Sequence, residues 1–483
     1  MEAGLCFVAG RSSKNAKLRD PNFSGNRNST GFVVYCDEDF PGRSTILFSF
    51  RKYGPATRWV STAALALLIF SAAIAVGGHE RAAAQQTSTA THESRWQEDL
   101  IIFAREFPGD HMDFGKIYSK EKFATEMTEI EHAAPQAADS QVVLKLMRLV
   151  ASGHIGHTHV IFPPEPMAFH RLPLTLYWYS DGLGVNAAAP EYKDALGARV
   201  VRVGTMTPVQ LEAAVTPYIS YENETWLHQE SPDYMIVKEL LSELKLVNAD
   251  GNVDITFAKA DGKPFTLNVV PVDWSVKGAS LNAEEALNIP VALYRKHVKD
   301  FYWYEYLTDS QTLYIQYNSC MNDPSHSFAD FSKELFEFAD AHTVQRTIVD
   351  LRFNEGGNSQ IIKPMENGLK ARKALSAKGH LITIIGPATF SSGLLAAMDF
   401  RDDLHAVLIG EPSGEKPNSY GEVRILTLPD SHLRITYCTK FFRLMKNGDP
   451  PALEPIVVVK PSLADFNSGR DPVLEAALHQ PLQ

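Results

Sequence analysis

Between residues 344 and 409 the chain repeats one local order, an apolar run, a turn and a helical stretch, and that order restricts the fold more than any other feature. Residues 344–351 (VQRTIVDL) are mostly apolar and run into Asp350-Leu-Arg-Phe-Asn-Glu-Gly-Gly357, the pattern of a buried strand entering a glycine turn. Residues 380–386 (HLITIIG) repeat it, residues 392–401 read as a helix, and residues 406–409 supply a further strand. Strands that alternate with helices build a sheet crossed by helices, an α/β core. In such sheets the functional groups collect beyond the carboxyl ends of the strands. Gly356, Gly357, Ser391 and Lys416 all fall there.

Ser391 and Lys416 lie 25 residues apart, in Gly386-Pro-Ala-Thr-Phe-Ser-Ser-Gly393 and Gly410-Glu-Pro-Ser-Gly-Glu-Lys416. A serine hydroxyl becomes a useful nucleophile when a base takes its proton, and a lysine whose amine is partly buried can be that base. On this reading Ser391 attacks a carbonyl and Lys416 accepts and returns the proton, while the backbone N–H groups of Gly357 and Ser392 hold the oxyanion. Gly356 and Phe390 would line the substrate crevice, together with Asn318 just past the strand expected at 313–317. The residue types alone also fit a plain helix cap at Ser391, a surface lysine and an ordinary glycine loop.

Asp350-Leu-Arg-Phe-Asn-Glu-Gly-Gly357, Thr389-Phe-Ser-Ser-Gly393 and Gly410-Glu-Pro412, at these separations, resemble the core of the tail-specific, or C-terminal processing, serine peptidases. The similarity extends over roughly residues 290–478, within a core domain expected at 290–480. It implies a ClpP/crotonase-like α/β protease core with a Ser–Lys dyad, in which Ser391 rather than Ser392 is the nucleophile, Lys416 the base and Gly357 part of the oxyanion hole. It also implies a helical N-terminal domain (93–165), a small PDZ-like or generic β subdomain (170–285), an unfolded or C-terminal peptide as substrate, and no cofactor.

The chain departs from that pattern around the lysine. Glu415 precedes it, and a neighbouring carboxylate stabilises ammonium unless it points away. Other branches of the superfamily resemble Ser-His enzymes with a supporting carboxylate. Gly156-His157-Thr158 resembles the Gly-His-Thr that closes the helical region in these relatives, which makes His157 the alternative base. His154, His157 and His159 could contribute zinc ligands. With no HExxH pattern and scattered cysteines, no metal is expected. Two further functions stay open: a catalytically degenerate peptide-binding envelope protein, and a serine esterase or amidase using His157.

Composition bounds the remainder. The 483-residue chain is 45% hydrophobic and 21% charged, a globular composition, and its length requires more than one core. Its formal charge is -11; residues 1–58 hold nine Lys/Arg and five Asp/Glu, or +4, so the rest carries -15. An acidic body without a basic stripe excludes nucleic acid as the expected partner. Residues 59–77 form an uncharged apolar run preceded by Arg51, Lys52 and Arg58, the pattern of a transmembrane helix or signal segment. A linker at 78–92 follows, with small residues for cleavage after Ala84, so the body is expected outside the cytoplasmic membrane, whether periplasmic, secreted or anchored. Residues 1–58 would be a cytoplasmic tail or an extension from an upstream start. Cys320 and Cys438 could pair in an oxidising compartment or stay two buried thiols. Residues 94–152 read as helices, 174–179, 183–188, 199–203 and 265–270 as strands, and Asp471 before Pro472 as the cap of a last helix.

Overall fold

The computed structural model describes residues 92–163, 167, 169–275 and 280–482. The 59–77 run, the 1–58 extension, the cleavage point after Ala84 and nearly all of the 78–92 linker lie outside the described residues. Among the described residues no helix is long and apolar enough to cross a membrane.

The repeated strand and helix order forms one six-stranded sheet. Across it run Val457–Val458, Val407–Gly410, Leu381–Ile385, Arg346–Asp350, Thr312–Tyr317 and Tyr302–Leu307. Every neighbouring pair is parallel except the last, where Tyr302–Leu307 lies antiparallel to Thr312–Tyr317. All residues of Arg346–Asp350 and Leu381–Ile385 are buried, which is why these strands read as continuous apolar runs. Their side chains alternate between two cores. Val349 and Leu381 pack with the helices Phe328–Ala341, Lys363–Ala371 and Ser392–Leu404. Ile348 and Ile382 pack with Val473, Leu474 and Ala477 of the last helix, Pro472–Leu478.

That last helix is capped as its Asp-Pro start requires: Asp471 Oδ1 accepts from the N–H groups of Val473 and Leu474, both at 3.1 Å. The same carboxylate holds the buried Arg352 guanidinium at 3.0 Å, and Asp350 holds it from the other side at 2.8 Å. The carboxyl end of a central strand is thereby fastened to the helix beneath it.

Before the sheet come helices His92–Asp110, Lys120–Ala133 and Asp139–Ala151, packed through Trp96, Leu100, Phe103, Leu146 and Met147. An antiparallel meander follows, Leu174–Tyr179, Gly182–Ala188, Arg199–Val203, Val253–Ala258 and Pro264–Val269. The long segment between its third and fourth strands is helical, with Glu224–Met235 and Lys238–Glu243. Asn223 caps the first of these, accepting from the Trp226 N–H at 2.8 Å, and its amide nitrogen is bonded to the carbonyls of Ser413 and Pro451. Asn223, the first residue of an Asn-Glu-Thr sequon, is therefore buried in a docking contact.

After the site loops the chain turns back as a long hairpin, Asn418–Thr427 with Arg434–Arg443. It reaches the N-terminal helices. Leu426, Leu428, Leu433 and Ile435 share a core with Trp96 and Leu100, and Asp99 accepts from the N–H groups of Asp430 and Ser431 at 2.9 and 2.8 Å.

The possible disulfide does not form. Cys320 and Cys438 are free, buried thiols. Cys320 Sγ donates to Asn354 Oδ1 at 3.3 Å, and Cys438 Sγ lies 3.4 Å from Thr158 Oγ1. Burial pushes them up to about 11 and about 12 respectively, so neither is a thiolate at neutral pH.

Replacing Asp471 by alanine leaves Arg352 with one of its two carboxylates and removes the helix cap. A loss of about 3 kcal/mol is expected, read as a lower denaturant midpoint at unchanged slope. A midpoint equal to that of the parent chain would show that the network contributes nothing.

Candidate active site

Ser391 sits immediately before the helix Ser392–Leu404, with φ 51° and ψ -125°. A non-glycine residue in that conformation is strained, and the sharp turn lifts its side chain off the end of the sheet. The strain is held from below by Gly356. A Cβ there would lie 2.6 Å from Ser391 Cβ and 2.9 Å from the Ser392 nitrogen, so only glycine lets the two loops meet. Ser392 Oγ donates to the Gly357 carbonyl at 2.7 Å, which fixes the orientation of that loop. Cys320 N–H donates to the Gly356 carbonyl at 2.9 Å and Asn358 N–H to the Cys320 carbonyl at 2.8 Å. The N–H groups of Gly357 and Ser392 donate to no group among the described residues.

The residue that meets Ser391 from the next loop is Glu415. Its Oε2 accepts from the Ser391 backbone N–H and its Oε1 from Ser419 Oγ at 2.6 Å. Burial pushes its carboxyl up to about 7, against those two donors. His157 Nδ1 lies 3.4 Å from Glu415 Oε1. Burial, with His159 beside it, lowers the imidazole to about 4, and a backbone group of Tyr420 opposes this. His157 is thus neutral at physiological pH and able to take a proton.

His157 reaches this point because residues 159–161, which follow it, pair with the returning hairpin. Thr436 N–H donates to the His159 carbonyl at 2.9 Å, and Ile161 N–H donates to the Arg434 carbonyl at 2.9 Å. Thr158 Oγ1 lies 2.9 Å from His111 Nε2, anchoring the turn to the first helix. From the other side the imidazole packs on Phe390, ring centroids 4.6 Å apart, and Phe390 stacks on Trp226 at 4.1 Å. Gly156 leaves room for this, since a Cβ there would be 2.8 Å from the Phe390 ring.

One cleft is lined by His157, Gly357, Ser391, Ser392, Glu415 and Ser419. Lys416 is not on its walls. Its ammonium is bound to Asp449 Oδ2 at 2.8 Å, so consecutive side chains diverge, Glu415 into the site and Lys416 away from it. Phe390 is buried behind His157 rather than facing the cleft, and Gly356 lies under the serine. Asn318 is elsewhere: its Nδ2 donates to the carbonyls of Asp300 and His297 at 2.9 and 3.3 Å and closes a turn. His154 packs edge-on against Tyr221, and among the described residues no group of three or more His, Cys, Asp or Glu could hold a metal. In the sequence Glu415 stands out only as a disturbance of Lys416, and Ser419 does not stand out. The signal was in the text: a glutamate and a serine four residues apart after Gly-Glu-Pro.

No protein-family model and no curated protein matches the chain. Solved structures do. Mature CPAF complexed with lactacystin superposes with a TM-score of 0.56 at 10% identity, covering 80% of this chain and 98% of that one. Mature CPAF alone gives 0.54 at 11% identity, covering 80% and 96%. The chain has the CPAF fold. A photosystem II D1 C-terminal processing protease also matches, at a TM-score of 0.39 and 12% identity, covering 79% of this chain and 99% of its own.

Proposed function

We propose that the protein is a serine peptidase, a divergent relative of the tail-specific processing enzymes, that works through Ser391, His157 and Glu415. The observation that carries this reading is the convergence of a strained serine, a neutral histidine and a buried glutamate on one cleft. Ser391 Oγ attacks the scissile carbonyl while His157 takes its proton and returns it to the leaving amine. Glu415, bonded on one oxygen to the backbone of the nucleophile and facing His157 with the other, orients the imidazole and stabilises the imidazolium that forms. The N–H groups of Gly357 and Ser392, which donate to nothing else among the described residues, serve the oxyanion. The sequence motifs, the fold and the site geometry support the same reaction class. Lys416 has no part in proton transfer, because its ammonium is engaged by Asp449 outside the cleft.

Ser391→Ala and His157→Ala are expected to abolish labelling by a fluorophosphonate probe and to lower hydrolysis of an unfolded protein substrate, the histidine change by about 100-fold to 10,000-fold. Lys416→Ala should stay within about threefold of the parent, since an ion pair with an exposed partner contributes little. Loss of activity in Lys416→Ala with full activity in His157→Ala would restore the lysine dyad. A chain that binds unfolded peptide but is never labelled would be a degenerate binding protein. Turnover of esters without peptide hydrolysis would make it an esterase.

The pH profile separates the roles. Glu415 must be ionised to stabilise the imidazolium, so kcat/KM should rise with pH through about 7, whereas His157 is already neutral above about 4. Glu415→Gln should be slower throughout and lack the limb near 7. A limb that persists unchanged in that variant would exclude Glu415 as its source.

A further inference from the structure

One buried amide joins the loops beyond three neighbouring strands of the core sheet. Asn354 follows the strand Arg346–Asp350 and is wholly buried. Its main-chain carbonyl accepts from the Phe390 N–H at 3.0 Å, on the loop that carries Ser391. Its Nδ2 donates to the carbonyl of Tyr317, the last residue of the strand on the other side, at 2.8 Å. Its Oδ1 accepts from the Gly356 N–H at 3.0 Å and from Cys320 Sγ at 3.3 Å. Two donors at one end and a carbonyl at the other allow the amide a single orientation. Packing holds it as closely. A Cβ on Gly393, in the helix after Ser391, would lie 2.2 Å from the Asn354 carbonyl oxygen and 2.9 Å from Oδ1.

These contacts bear directly on the oxyanion donors. The Gly356 N–H is occupied by Oδ1, whereas that of the next residue, Gly357, donates to no group among the described residues. Gly356 and Gly357 have φ 110° and 129°, a pair of glycines with no side chain of their own to fix the turn. A side-chain oxygen bonded to the N–H two residues on supplies that constraint. Cys320 reinforces it, since the residue that donates to Oδ1 also donates its N–H to the Gly356 carbonyl at 2.9 Å and bridges to Gly357.

Resting on the serine-peptidase reading, we propose that Asn354 is the positioning residue of the oxyanion hole, its amide fixing the Gly357 N–H relative to Ser391 Oγ. The carbonyl of Asn354 grips the residue before the nucleophile and its side chain grips the residue before the donor, so both are set from one point. An apolar side chain of the same size would leave the Gly356 N–H and the Tyr317 carbonyl unpaired. Aspartate would keep the acceptor but turn an oxygen toward that carbonyl.

The test is saturation kinetics of Ser391 labelling by an alkyl fluorophosphonate, with the denaturant midpoint of each variant measured alongside. Ser391 Oγ bonds to phosphorus as fluoride leaves, and the phosphoryl oxygen takes the place of the oxyanion. In Asn354→Ala the maximal labelling rate constant should fall about 10-fold to 100-fold, the cost of a misplaced donor, with the half-saturating probe concentration within about twofold of the parent. Asn354→Asp should fall between the two, and it alone carries the comparison if the alanine variant does not fold. A residue that only stabilises the fold would instead leave fewer reactive chains, each labelled at the parent rate constant. That result, or a raised half-saturating concentration at an unchanged rate constant, overturns the proposal and leaves the peptidase reading standing. A parent chain that is never labelled at Ser391 overturns the peptidase reading, and the role of Asn354 falls with it.

Discussion

The site depends on a backbone contact, the pairing of the hairpin Asn418–Thr427 and Arg434–Arg443 with the segment that follows His157. Three groups must meet within one cleft, Ser391 and Glu415 from neighbouring loops and His157 from more than 200 residues earlier in the chain. Thr436 binds the His159 main chain three times: its N–H and its Oγ1 donate to the carbonyl at 2.9 and 3.1 Å, and its Oγ1 accepts from the His159 N–H at 2.8 Å. Ile161 adds a further bond to Arg434. Backbone pairing of this kind fixes register, so the position of the imidazole is set by the same hydrogen bonds that hold the helical region to the rest of the chain. The hairpin begins three residues after Glu415, and one element therefore positions two of the three groups.

Packing then completes what pairing begins. The stack of Trp226, Phe390 and His157 leads from the helical insert of the meander to the base, and Asn223 locks that insert onto the loop holding Ser413 and Glu415. The meander is therefore part of the architecture of the site. Gly414 shows how close the fit is: a Cβ there would lie 2.6 Å from the Trp226 ring and 2.2 Å from the Pro387 carbonyl oxygen.

Periodicity carried the sheet well, because strands buried on both faces leave an unbroken apolar run and their turns need glycine. Arg346–Asp350, Leu381–Ile385 and the helix after Ser391 stand within a few residues of where the pattern puts them, and Leu174–Tyr179 and Arg199–Val203 coincide with it. Asp471 caps the last helix as its position before proline implies. The segment 216–246 was not legible as helical, since its helices contain Pro232 and a mixture of polar and apolar residues without one clean face. The pairing of residue 157 with residue 415 was also beyond reach. Nothing local to either sequence encodes a contact made through a distant hairpin, and the neighbouring lysine offered a simpler partner in the chain.

The choice between Glu415 and its neighbour follows from electrostatics. A carboxylate taken wholly out of water is costly, and Glu415 is kept there by donors on both oxygens, the Ser391 N–H and the Ser419 hydroxyl. Had Lys416 also turned inward, the pair would have neutralised itself, leaving His157 without an uncompensated anion to lean on. With the ammonium held outside by Asp449, the cation that the proposed mechanism forms beside Glu415 is the imidazolium created if His157 takes the serine proton. In that proposed mechanism the field of the buried carboxylate acts on the transition state rather than on a resting ion pair, which is the condition under which an electrostatic interaction accelerates a reaction.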